Sequence, residues 1–237
     1  MTRTSHRWKQ LPGSFDVLHA THLFPSDNHW GIPKMQHTSA NCIPEWLVPY
    51  RQQVRTNRSL ETGAVHFFLD DYRFESVWHR PNSAVKGLRK YKTLLTPDFS
   101  LYRDWPMMLQ MWNTYRSRWC GCFWQSQGFS VIPSVSWSSA ASYDFCFAGL
   151  PKRGIVAVSS LGVNLTDPLE SYLFVSGFQA MVRQLDPIIV LSCGQLPTQC
   201  STLVETILYP TRWQSIRAAM KPSNKVERIQ EAHGRTR

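Results

Sequence analysis

Asp70, Asp71 and Asp98 are the side chains of this sequence best placed to do chemistry, because each follows closely on a short apolar run. Carboxylates brought together can move a proton, one of them being raised in pKa by its neighbour's charge, or they can hold Mg²⁺ with a substrate's phosphates. Arg116 joins them as a candidate, since its planar fork suits a phosphate or a carboxylate. The catalytic set is therefore Asp70, Asp71, Asp98 and Arg116, with the three acids doubling as metal ligands. Only one of Asp70 and Asp71 can face a shared pocket, because successive side chains of a strand alternate. A purely structural reading stands beside this one. Aspartate at a strand-to-helix junction often caps or anchors a loop, and Pro97-Asp98-Phe99-Ser100 has the composition of a turn. Arg116 paired with Asp70 or Asp71 would tie helix to sheet, and this is the favoured role for it.

Those residues have to be positioned by strands. Five short runs recur after Gly63: 64–69, 93–96, 129–135, 155–158 and 188–191. They are rich in Val, Ile, Leu and Phe without strict alternation, which suits strands covered on both faces. Helical segments are expected between them at 82–91, 105–127 and 168–185, and another beginning at Ser201 and running to Leu208. Residues 42–50 and the segment after Tyr143 are candidates for irregular strands. Strand alternating with helix predicts an α/β fold with a mostly parallel sheet, barrel-like in the sense of a TIM-like or partial barrel. An open doubly wound sheet is the second choice. Ligands in such folds gather outside the carboxyl ends of the strands, where the candidate acids lie.

The chain divides into an aromatic-rich irregular extension over 1–60 that packs on the core, an α/β domain over 61–210, and a basic tail over 211–237. Net charge is +10, from 26 basic and 16 acidic residues among 237. Residues 1–10 carry +3 and residues 211–237 carry +5, which leaves 16 bases against 14 acids between them. Such termini read as solvated tails able to touch nucleic-acid phosphate, with solubility as the plainer explanation. No apolar run reaches the roughly 18 residues of a membrane span, and Met1 to Gln10 lack a secretory pattern, so a cytoplasmic protein is expected. The six cysteines lack zinc-site spacing and are expected as buried thiols. His66, inside a strand, is expected as a core histidine. Phosphate-binding loops, dinucleotide fingerprints, nucleophile elbows and zinc-protease motifs are all missing from the sequence.

Several segments resemble one family. These are His66-Phe67-Phe68-Leu69-Asp70-Asp71-Tyr72-Arg73-Phe74-Glu75 with Trp78 and Pro81, then Thr96-Pro97-Asp98-Phe99-Ser100-Leu101-Tyr102. Trp112-Asn113-Thr114-Tyr115-Arg116 with Trp119 and Val131-Ile132-Pro133-Ser134-Val135-Ser136-Trp137 complete the pattern. Together they resemble the family known as domain of unknown function 4417, over roughly residues 30–195. The sequence departs from it at Cys193-Gly194, where a Tyr-Gly strand end is expected. The resemblance implies a single domain carried by phages, bacteria and other mobile elements, and it brings no established activity, cofactor or catalytic residue.

Three functions stay open on this reading. One is a carboxylate enzyme, Mg-assisted or not, acting on a phosphate-bearing or nucleic-acid substrate through Asp70, Asp71, Asp98 and Arg116. Another is a nucleic-acid-binding accessory protein of a phage or plasmid that uses the basic termini. The third is a protein-interaction scaffold.

Overall fold

A computed structural model describes residues 16–52 and 58–210. The proposed basic ends, at 1–10 and 211–237, lie outside the described residues.

Seven strands form the frame: β1 (Trp46–Pro49), β2 (Gly63–His66), β3 (Thr93–Leu95), β4 (Ser130–Ile132), β5 (Ile155–Ser159), β6 (Ile189–Cys193) and β7 (Thr206–Tyr209). Every pairing is parallel, and the ladders run β1-β2-β3-β4 and β5-β6-β7. A single parallel bridge, Ser134 to Ala157, joins the two sheets. There Val135 N–H donates to the Ala157 carbonyl at 2.8 Å, and Ala157 N–H donates to Pro133 at 2.8 Å. Spatial order thus follows chain order with no reversal, so the topological switch point of a doubly wound sheet does not arise. This is the order of a barrel wall. Among the described residues no ladder closes β7 onto β1, although the Tyr209 hydroxyl donates to the Pro44 carbonyl.

The register explains why these runs are apolar throughout. Leu47, Ala64, Leu95, Ile132, Ala157, Leu191 and Ile207 share the inner face, where a small core forms with Phe68, Cys193 and Tyr209. The residues between them, such as Val48, Val65, Leu94, Val131, Val156 and Val190, belong to the larger core beneath the helices. Burial on both faces removes the polar half of a strand's usual alternation.

Helices follow the strands: α1 (Ser76–His79), α2 (Pro81–Leu88), α3 (Met107–Ser126), α4 (Tyr143–Cys146), α5 (Pro168–Leu185) and α6 (Thr198–Ser201). The Asp167 carboxylate caps α5 by accepting from Glu170 N–H at 2.9 Å, and Pro168 supplies its first turn. Two glycines set how closely helices approach. A Cβ at Gly121 would meet Met35 and Thr96 at 2.7–2.9 Å, and one at Gly177 would meet the Trp137 ring at 2.1 Å. Residues ahead of β1 lie along α3: Trp119 Nε1–H donates to the His22 carbonyl, and Gln125 is hydrogen-bonded to both the amide and the carbonyl of Gln36. None of the described helices is long and apolar enough to cross a membrane.

Two expectations need correction. The helix expected from Ser201 to Leu208 is the end of α6 followed by strand β7, because Thr206-Ile207-Leu208-Tyr209 pairs with β6 and turns Ile207 and Tyr209 inward. The segment at Tyr143 forms the helical turn α4 and no strand; Phe145 and Cys146 are buried from it. Residues 46–49 do supply the irregular early strand, as β1.

Candidate functional site

The candidate acids stand past the carboxyl ends of β2 and β3, and their partners separate them. Asp70 is exposed and makes no capping bond to the 3-10 turn that follows it. Asp71 opens that turn and is spoken for: it accepts from Ser100 N–H at 3.1 Å and from the Ser100 hydroxyl at 2.8 Å. Burial pushes its pKa upward, a tendency opposed by Ser100 and by the Arg116 charge. The loop after β2 is thereby fastened to the loop after β3.

Arg116 carries the fastening on to α3. Its guanidinium forms an ion pair with Glu75, donates to Asn113 Oδ1 at 2.6 Å and lies 3.9 Å from the centroid of the Phe99 ring. Asn113 in turn donates to the Ser100 carbonyl at 2.7 Å. The partner of Arg116 is Glu75, where Asp70 or Asp71 was expected. The single turn α1, which starts just after Glu75, brings that carboxylate to the helix. Sequence reasoning passed over Glu75 because it stands outside the strand-end acids. Arg116 is only 8% exposed, so its charge is committed to this network.

Asp98 keeps different company. Ser136, past the carboxyl end of β4, lies beside it, and Asp98 is raised to about 6. Burial is the largest cause and the Asp71 charge adds to it, while Ser136 and the buried Arg118 pull the other way. Arg118 donates to the carbonyls of Cys146 at 2.7 Å, Ser134 at 3.2 Å and Ala148 at 3.4 Å. Burial lowers it to about 10. Cys193, at the end of β6, is raised to about 11 by burial and by Asp98, which makes it a poor nucleophile at neutral pH. His66 Nδ1 accepts from Phe68 N–H at 3.2 Å, and burial lowers the imidazole to about 4. Among the described residues no group of three His, Cys, Asp or Glu side chains is placed to hold a metal ion. The Asp71 carboxylate is engaged by Ser100.

A groove lies elsewhere on the molecule. About 370 Å³ in volume, it runs between the turn after β1 and helix α2, lined by Tyr50, Arg51, Arg80, Ser83, Gly87 and Lys90 among others. Among the described residues no carboxylate lines it. Arg51, Arg80 and Lys90 are exposed, whereas Tyr50, Ala84, Leu88 and Tyr91 of its walls are buried. Residues 80–92 hold five bases (Arg80, Lys86, Arg89, Lys90 and Lys92) and no acid. That run was the available signal, hidden by the near balance of charge over the body of the chain.

Two outcomes follow. Arg116→Met, which strands Glu75 and Asn113, is expected to cost about 2–4 kcal/mol in urea unfolding with an unchanged m-value, and Arg116→Lys less. Asp98 titrates at 3.8 in an unfolded chain and near 6 in the fold, so between those values the native state binds more protons. Its contribution to stability therefore falls as pH rises through that window. Asp98→Asn is expected to melt above the parent at pH 7.5, the advantage vanishing towards pH 4. His66, common to both proteins, cancels in the difference.

The chain matches the family model described as Domain of unknown function (DUF4417) over residues 24–210. The Gene 1 protein of Mycobacterium phage D29 is 41% identical over 217 residues, spanning 90% of this chain and 78% of that relative. The Gene 1 protein of Mycobacterium phage L5 is 39% identical over 215 residues, 90% of this chain and 92% of the relative. No solved structure matches. With the match spanning the described strands and helices, and both phage relatives aligned over nine-tenths of its length, this chain belongs to the DUF4417 family.

Proposed function

We propose that this chain is a nucleic-acid-binding accessory protein of a phage or related mobile element, gripping phosphate through the exposed bases at the two ends of α2 and in the turn after β1. One observation carries the reading: residues 80–92 hold five bases and no acid, and two of them, Arg80 and Lys90, line a groove that Arg51 also lines. Among the described residues Arg51, Arg80, Lys86 and Lys90 form no ion pair, so their charge is available to a polyanion. Arg116, by contrast, is engaged inside the fold. The test is fluorescence anisotropy with a labelled single strand of roughly 12 nucleotides at low and physiological salt. Arg80→Glu with Lys90→Glu is expected to weaken binding at least about tenfold and to flatten the salt slope by about two. Arg183→Glu, on α5, is expected to change it less than about twofold. A double variant that binds like the parent removes the reading.

A second reading, proton transfer on a phosphate-bearing substrate, is supported by Asp98. A carboxyl raised to about 6 beside Ser136, at the carboxyl edge of the sheet, is close to the value general acid–base chemistry requires. Asp98→Asn is then expected to lower hydrolysis of single-stranded DNA or of nucleotides by about 100-fold or more while the protein stays folded. Equal turnover by variant and parent rejects it.

A further inference from the structure

We infer that the groove beside α2 prefers one nucleic-acid strand to a duplex, its cations holding phosphates at the rim while sugar and base rest on the apolar floor. This inference rests on the nucleic-acid reading above and adds the form of the ligand. The groove is small, about 370 Å³, at the low end of sites that enclose a ligand of a few hundred daltons. Its floor is apolar: Val65 faces outward from β2, and Ala84 and Leu88 face inward from α2. A duplex keeps its bases stacked inside and presents phosphate on a convex surface, so it can reach the rim and gains nothing from the floor. An unpaired strand can use both.

The rim is built at fixed points. The Arg51 guanidinium lies 5.4 Å from the centroid of the Tyr50 ring, and the Lys90 ammonium lies 5.4 Å from that of Tyr91. Tyr50 itself is hydrogen-bonded to Ser76 at 3.4 Å, so the wall bearing Arg51 is anchored to α1. Arg80 precedes the first residue of α2, and Lys90 follows its last by two, so about 12 Å of helix separates two cations along the groove. That spacing exceeds one phosphate-to-phosphate step, so the two cations would meet non-adjacent phosphates of an extended strand. Between them the floor is open: a Cβ added at Gly87 would meet nothing within 4 Å, and Gly87 has no left-handed backbone angle. A glycine in mid-helix costs stability relative to alanine, yet nothing packs against this one. The open space belongs to the groove.

Filling that space without touching charge separates enclosure from simple attraction. Ser83→Leu with Gly87→Leu places two side chains in the groove from exposed positions of α2, leaving every cation in place. With the full chain, a labelled single strand and a duplex of equal length are titrated in parallel. The parent is expected to favour the single strand by at least about tenfold, the filled variant to lose most of that preference, and its duplex binding to stay within about twofold. Gly87→Ala, which adds little bulk, is expected to bind like the parent. If the parent binds duplex as tightly as single strand, or the filled variant keeps the preference, the inference is overturned while the broader reading survives. If neither nucleic acid binds, the broader reading falls with it. A filled variant that fails to melt cooperatively is replaced by Gly87→Gln, a better helix former than the glycine it replaces, which must show the same selective loss.

Discussion

A guanidinium shut away from water draws oxygen atoms to it: Arg116 meets Glu75 and Asn113, while among the described residues its buried Nε finds no partner. Glu75 comes from beyond β2, Asn113 from the same helix, and Asn113 reaches on to Ser100, which Asp71 also holds. Deprive any one of its partner and a buried polar group is left unsatisfied, which costs more than the bond itself contributes. The loops past β2 and β3 therefore have one arrangement. Asp98 lies in that fixed region, and its raised pKa reflects the Asp71 charge held nearby as well as its own burial.

The parts of this architecture legible in the sequence are those where burial leaves a compositional mark. The central strands show as continuous apolar runs because both faces are covered, and α3 and α5 show through proline at their starts. The outermost strand β7 did not show. Thr206 and Ile207 are half-buried and Leu208 is exposed, so the segment lacks a core strand's continuity, and Ser201 just ahead of it is helical. Its identity is settled by pairing with β6, a long-range fact.

The site was legible in residue type and misread in pairing. Asp71 and Asp98 sit where strand-end reasoning puts polar groups, but which carboxylate meets Arg116 of α3 depends on a 3-10 turn and a single helical turn between Asp71 and Glu75. Spacing along the chain says little about that geometry. The groove was missed for another reason. Averaged over residues 11–210, sixteen bases against fourteen acids look neutral, although a thirteen-residue stretch inside them holds five bases and no acid. Charge acts over about 8 Å at physiological salt, so local density governs contact with a polyanion.

Arg118 has a bearing on how the molecule comes together. Its guanidinium draws in the carbonyls of Ser134, Cys146 and Ala148, and Ser134 is also the residue through which the four-stranded sheet meets the three-stranded one. The seam between the sheets is thus sealed by a side chain from α3, a helix that precedes β4 in the chain. Each sheet has the other as its neighbour at that edge, which couples the two halves energetically.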